Sequence, residues 1–224
     1  LPVIDESGIL LGIITVDDII DVIEEEATED IYLLAGTGEV EGVNILEAPI
    51  IDIASKRLPW LLVCLVGGLL SGSVIGAFEA TLQSILILAI FIPVIMDMGG
   101  NVGTQTSTLF VRGLATGEID DKDIWRYFFR EIKVGFFMGI INGIIISAVA
   151  WLWQGIPVLG LIVGIAMFMT IFFASLLGTI VPMFFNYYGI DPAISSGPIV
   201  TTIKDVTGLL IYFYTASFFF KYLV

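Results

Sequence analysis

The sequence predicts an α-helical membrane protein: five transmembrane helices preceded by a small acidic arm of mixed strand and helix. Three observations predict it. Of 224 residues, 57% are hydrophobic and only 14% charged, and the mean hydropathy of +1.00 lies outside the usual range for a soluble domain. Two long intervals carry no charge at all, Arg57 to Glu79 and Val134 to Ile190. A helical crossing needs roughly 20 apolar residues, so the second interval holds two crossings. The third observation is where the charge sits. Residues 1–55 contain fourteen Asp and Glu and no Lys or Arg, while residues 56–224 contain nine of each sign. The net charge of −14 therefore belongs to the arm, which repels nucleic acid and anionic lipid and attracts cations.

The elements follow in order. LPVID and LLGIIT are short β-type runs joined by the turn-like ESG, and a helix is predicted from about Val16. At roughly 100° per residue, Asp17, Asp18, Asp21, Glu24, Glu25 and Glu29 fall on one side and Ile19, Ile20, Ile23 and Ala27 on the other. AGTGEVEG reads as a linker, and a polar and apolar mixture from about Ile45 to Arg57 leads to the membrane. The crossings are expected at 58–78, 81–98 with an irregular continuation to 111, 132–153, 157–181 and 198–222. Lys56 and Arg57 precede the first, and Arg112, Lys122, Arg126, Arg130 and Lys133 cluster between the second and third. The positive-inside rule puts both groups, and the arm, in the cytoplasm and the C-terminus outside; Lys221 opposes this, outnumbered.

Cys64 is the only cysteine and lies in an apolar run, so an intrachain disulfide and a cysteine metal cluster are excluded. Residue 1 is not Met, and LPVIDESGILLGIIT lacks a charged n-region and a small-residue cleavage site. The chain is expected to begin inside a larger protein. No internal repeat supports an inverted-repeat transporter. His is absent and the pattern GxxxxGKS/T does not occur, which disfavours a hydrolase, an ATP-driven pump and an imidazole proton relay.

Two stretches carry groups that do not belong in lipid. MDMGGNVGTQTST, residues 96–108, follows an apolar run. Its glycines at 99, 100 and 103 would kink the helix and expose carbonyl oxygens, while Asn101, Thr104 and Gln105 add further oxygens. Oxygen donors suit a hard cation such as Mg2+. Close helix packing through small residues is the other reading, and the residues leave both open. In PIVTTIKDVTGLLIYF a helix puts Thr201, Asp205 and Gly208 on one side. An ionisable residue at this depth implies function. An ion pair with Lys204 is the alternative, disfavoured because adjacent helical positions point about 100° apart. Asp97 and Glu79 end apolar runs, where a carboxylate reaches interfacial water. The arm's carboxylates repel one another, which suits weak binding of a regulatory divalent ion better than plain solvation.

VIEEEATEDIYLLAG, FIPVIMDMGGNVGTQTSTLFVRGLATGEI and GIDPAISSGPIVTTIKDVTGLLIYF, in that order, resemble the MgtE family of magnesium channels across nearly the whole chain. The resemblance implies residues 1–35 as the C-terminal part of a CBS module, 36–57 as linker and plug helix, and 58–224 as the pore domain. It implies a homodimer whose pore is lined by the second and fifth crossings. Asp205 matches the intramembrane Mg2+ selectivity residue and Asn101 the asparagine of the GGN segment, and Thr201 offers its backbone to the same site. Gly197 departs from the family, some of whose members carry asparagine there, and Asp97 is a carboxylate where some have a neutral residue. For gating by cytoplasmic Mg2+ the resemblance points to Asp18, Asp21, Glu26, Glu29 and Asp30, with Asp191 at the cytoplasmic mouth. Glu26 and Asp30 leave the acidic stripe of an ideal helix: either the helix ends near Ala27 or these two face the plug. The implied function is passive, voltage-driven Mg2+ uptake, with no enzymatic activity. A Na+- or H+-coupled transporter and a non-transporting membrane sensor are the alternatives.

Overall fold

The computed structural model describes residues 1–37, 48–84, 86–120 and 122–222. Residues 38–47, which hold most of the AGTGEVEG linker and the start of the lead-in from Ile45, lie outside them. Two antiparallel strands, β1 (Pro2–Ile4) and β2 (Leu10–Ile13), pair with Pro2 opposite Ile13. Their turn is fixed by Asp5, whose Oδ1 accepts from the Ser7 amide, the Ser7 hydroxyl and the Ile9 amide, while Gly8 takes φ 83°, where a side chain would be strained. Helix α1 (Val16–Leu34) opens with a capping box: Asp18 accepts from the Thr15 amide and hydroxyl, both at 2.7 Å.

The bundle contains α2 (Ile50–Ala77), α3 (Glu79–Ser84), α4 (Ile92–Ala115), α5 (Ile124–Gln154), α6 (Pro157–Tyr187), α7 (Ala193–Ser196) and α8 (Pro198–Phe218). Helix α2 runs unbroken through residue 57, so the polar lead-in and the first crossing share one helix, with Pro59 inside it. Proline opens α6 and α8, where its missing amide costs nothing, and Gly155 ends α5 in the left-handed region at φ 72°.

Among the described residues, four segments are long and apolar enough to cross a membrane: Ile50–Ala77, Leu86–Ala115, Ile124–Gln154 and Pro157–Tyr187. A fifth crossing was expected at 198–222. Its helix, α8, has 21 residues, but it does not reach the same apolarity because Lys204, Asp205 and a run of threonines interrupt it.

Helix α6 is the hub and packs against α5, α4 and α8. It carries no charged residue and buries Ile162, Val163, Met167 and Ile171 completely or nearly so. Small residues bring its backbone close to α5: a Cβ at Gly143 would lie 2.8 Å from the Gly164 carbonyl, and one at Gly160 2.6 Å from the Ser147 carbonyl. By contrast α2 and the outer face of α5 expose Leu61, Leu65, Leu69, Phe137 and Ile144. In a bilayer, acyl chains solvate that surface.

Candidate functional site

The polar stretch 96–108 was expected to break its helix. Instead α4 is continuous from Ile92 to Ala115, and the irregular backbone lies upstream, in a 3-10 segment over Leu86–Phe91. That segment has an anchor, since the buried Tyr212 hydroxyl donates to the Leu88 carbonyl at 2.8 Å. The glycines of α4 are contact points, with no exposed carbonyl turn. A Cβ at Gly99 would meet Thr170 Cγ2 at 2.8 Å, one at Gly103 would meet Lys204 Cδ at 3.0 Å, and one at Gly178 of α6 would meet the Gly103 carbonyl at 2.6 Å. Tight packing from α6 and α8 offsets the intrinsic cost of helical glycine, about 1 kcal/mol each.

The oxygens occupy the other face. At roughly 100° per residue, Asp97, Asn101, Thr104 and Thr108 align. The first three are exposed and Thr108 is half-buried. Asn101 Nδ2 donates to Asp97 Oδ2 at 3.1 Å. A polar face within an apolar span does not rest against lipid, so it faces water or protein. Close packing thus holds for the glycine face of this stretch.

Helix α8 lies against α4, α6 and α2. Asp205 and Thr201 are half-buried, and the Thr201 hydroxyl donates back to the Gly197 carbonyl at 3.0 Å. Lys204 is buried, at 3% exposure. Its ammonium crosses to α4, donating to the Gly100 carbonyl and, at 3.2 Å, to Thr104 Oγ1. It forms no ion pair with Asp205; the pairs among the described residues are Arg112 with Glu118 and Arg126 with Asp123. No group of three or more His, Cys, Asp or Glu that could hold a metal occurs among the described residues.

At the arm, α1 continues to Leu34, which excludes an end near Ala27. Asp18 is committed to its capping box, and the Thr15 amide and hydroxyl hold its carboxyl below the usual carboxylate range. Asp21, Glu26 and Glu29 are exposed. Asp30 is half-buried; burial, with Asp191, Glu26 and Glu29 nearby, pushes its carboxyl up. Helix α1 approaches α7, at the foot of α8. Asp191 itself precedes that short helix and accepts from the Ala193 amide at 2.8 Å. The end of the arm meets α8 at glycine: a Cβ at Gly197 would lie 3.1 Å from the Leu34 carbonyl. Ile19, Ile20 and Ile23 on the other face of α1 stay exposed.

Sequence reasoning missed two groups. Glu131 of α5 is buried at 7% exposure and accepts from Thr106 of α4 at 2.9 Å and Ser175 of α6 at 3.2 Å, joining three helices. In the sequence it hides among the surface charges of 126–133. Lys204 was weighed only against Asp205, and its true acceptors are about a hundred residues away in the chain.

Fold and site together define a multi-pass helical membrane protein whose helices α4 and α8 carry polar and acidic side chains. Residues 92–215 match the MgtE family, described as a divalent cation transporter. The chain is 41% identical over 219 residues to the magnesium transporter MgtE of Bacillus subtilis, covering 98% of this chain and 48% of that protein. The corresponding protein of Thermus thermophilus is 41% identical, over 95% of this chain and 47% of its own length. That of Enterococcus faecalis is 43% identical, over 100% and 49%. The chain belongs to the MgtE family of divalent cation transporters. It spans about half the length of these curated relatives.

Proposed function

We propose that the chain forms the conducting part of a homodimeric, Mg2+-selective channel, with α8 as a fifth crossing and the arm in the cytoplasm. The exposed polar stripe of α4 beside Asp205 of α8 carries this reading. Such a stripe calls for water or protein to face, and a second copy of the chain would supply both by enclosing a water-filled path. Mg2+ gives up its water reluctantly, so Asp205 from two subunits would hold a largely hydrated ion through outer-shell hydrogen bonds, with Asn101, Thr201 and Asp97 lining the approach. Two charges crossing 100 mV gain about 4.6 kcal/mol, which drives uptake without ATP or a coupled ion.

Inside the cell, Mg2+ would gather the carboxylates of the arm and of Asp191, and so hold the foot of α8. The half-buried Asp30 and the close approach of Leu34 to Gly197 support that route. Flux of Mg2+ into liposomes at clamped voltage tests the reading. Wild type should pass Mg2+ without a Na+ or H+ gradient, and Asp205→Ala should reduce flux by at least roughly a hundredfold, the scale of losing a site's central charge. Equal flux for both proteins removes the site, and dependence on a Na+ or H+ gradient replaces the channel with a coupled transporter.

A further inference from the structure

Lys204 is a full positive charge placed by the fold beside the residue proposed to bind the ion. Its stem passes through the gap left by Gly103, whose absent Cβ would sit 3.0 Å from Lys204 Cδ. Its ammonium is held on the Gly100 carbonyl and Thr104 Oγ1, and Thr104 itself donates to the Gly100 carbonyl at 3.0 Å. A buried charge on one helix thus grips the motif that carries Asn101 and Asp97 on the next. Helical rise is about 1.5 Å per residue. Along α8, Asp205 is one step from Lys204; along α4, Asp97 is about 4.5 Å from the level of Gly100. Along their own helices, both carboxylates thus fall within about one turn of the lysine or of the carbonyl that holds it, a layer of three charges.

Helix packing alone does not call for a lysine here. A methionine of similar length would fill the same gap without the desolvation cost that a charge incurs in a bundle. The charge is what the site retains. With all three groups ionised, Asp97 and Asp205 contribute two negative charges and Lys204 one positive, leaving −1 per chain. Two chains give −2, the charge that a single divalent cation neutralises. We infer that Lys204 is a built-in counter-cation that trims the charge of the layer to match one divalent ion, keeping binding weak enough for release. This inference rests on the channel reading above. Conduction requires a site that an ion enters readily and also leaves.

The test uses the reconstituted full chain and measures Mg2+ flux against Mg2+ concentration. Lys204→Met leaves −2 per chain and should lower the half-saturating concentration about tenfold or more, the scale on which one charge acts across several ångströms at an effective dielectric near 20. Maximal flux should fall with it, because release slows. Lys204→Arg keeps the charge and should stay near wild type in half-saturation. The double variant Lys204→Met with Asp97→Asn restores −1 per chain and should return half-saturation toward wild type. A lysine that only struts two helices together predicts otherwise: maximal flux falls, half-saturation holds or rises, and the second substitution makes matters worse. That result, or a Lys204→Met curve identical to wild type, overturns the inference. A wild type with no Mg2+ flux, or one matched by Asp205→Ala, overturns the channel reading instead.

Discussion

The arm and the bundle are both acidic where it matters, yet they hold their carboxylates in opposite ways. Helix α1 buries none of its residues, and all its Asp and Glu except the half-buried Asp30 stand in water. In the bundle, Asp205 is half-buried beside a lysine fixed by two acceptors on another helix. Charge in water costs little, so the arm carries many carboxylates with loose geometry, and a divalent ion can draw them together only weakly. Charge in a bundle is costly, so few such groups are present, and the packing of α4, α6 and α8 sets where each one points. The bundle fixes the position of its charges, whereas the arm leaves most of its own exposed.

The sharpest way to break this contrast is to put the same methyl group into both regions. Gly178→Ala drives a Cβ to 2.6 Å from the Gly103 carbonyl, a backbone atom that cannot swing aside. Overpacking of this kind costs about 1–3 kcal/mol. We expect a clear fall in the detergent melting temperature and loss of flux, because α4 shifts and takes Asp97 and Asn101 with it. Gly12→Ala in β2 meets nothing within 4 Å and should leave both unchanged. Equal melting temperatures for the two variants would mean that the bundle tolerates movement of α4, and geometry would cease to explain the site.

The same contrast decides what the sequence makes legible. Local rules read the arm: ESG marks the hairpin turn, and the start near Val16 is confirmed by Thr15 and Asp18. Hydropathy located the four apolar spans, and charge in an apolar setting singled out Asp205. The roles of Gly99, Gly103 and Gly178 stayed open because each is set by a neighbour distant in the chain. Lys204 shows the limit most plainly. Helix periodicity shows where it does not point, away from Asp205, but only the docking of α8 on α4 supplies the Gly100 carbonyl. Glu131 was masked for the same reason, since its inward turn depends on Thr106 and Ser175 from two other helices.

A moderate effect is expected where the two regions touch. Gly197→Asn adds a side chain at the seam, its Cβ 3.1 Å from the Leu34 carbonyl and 3.4 Å from the Gly36 amide nitrogen. The arm must yield by a few tenths of an ångström, and its contact with α8 loosens. Limited proteolysis should cut the arm severalfold faster in this variant, and the bundle's melting temperature should hold. Unchanged cleavage would place the hold on the arm elsewhere.

The smallest effect should be a pH dependence of that same contact, set by Asp30. Burial first, then Asp191, Glu26 and Glu29, raise its carboxyl above the ordinary value of 3.8. The docked arm then binds more protons than the undocked arm at intermediate pH, so docking weakens as pH rises from the ordinary value through the raised one. Acidification across that window should slow proteolysis of the arm, by a few-fold at most because the group is half-buried and screened. Asp30→Asn should flatten the profile and protect the arm at neutral pH, since the amide carries no charge to repel Asp191. Millimolar Mg2+ at neutral pH should protect wild type for the same reason, by standing in for the proton, and should do less for the variant. Faster cleavage on acidification would reverse the sign and show that the carboxylate at Asp30 holds the arm by attraction, contrary to its setting among three other acids.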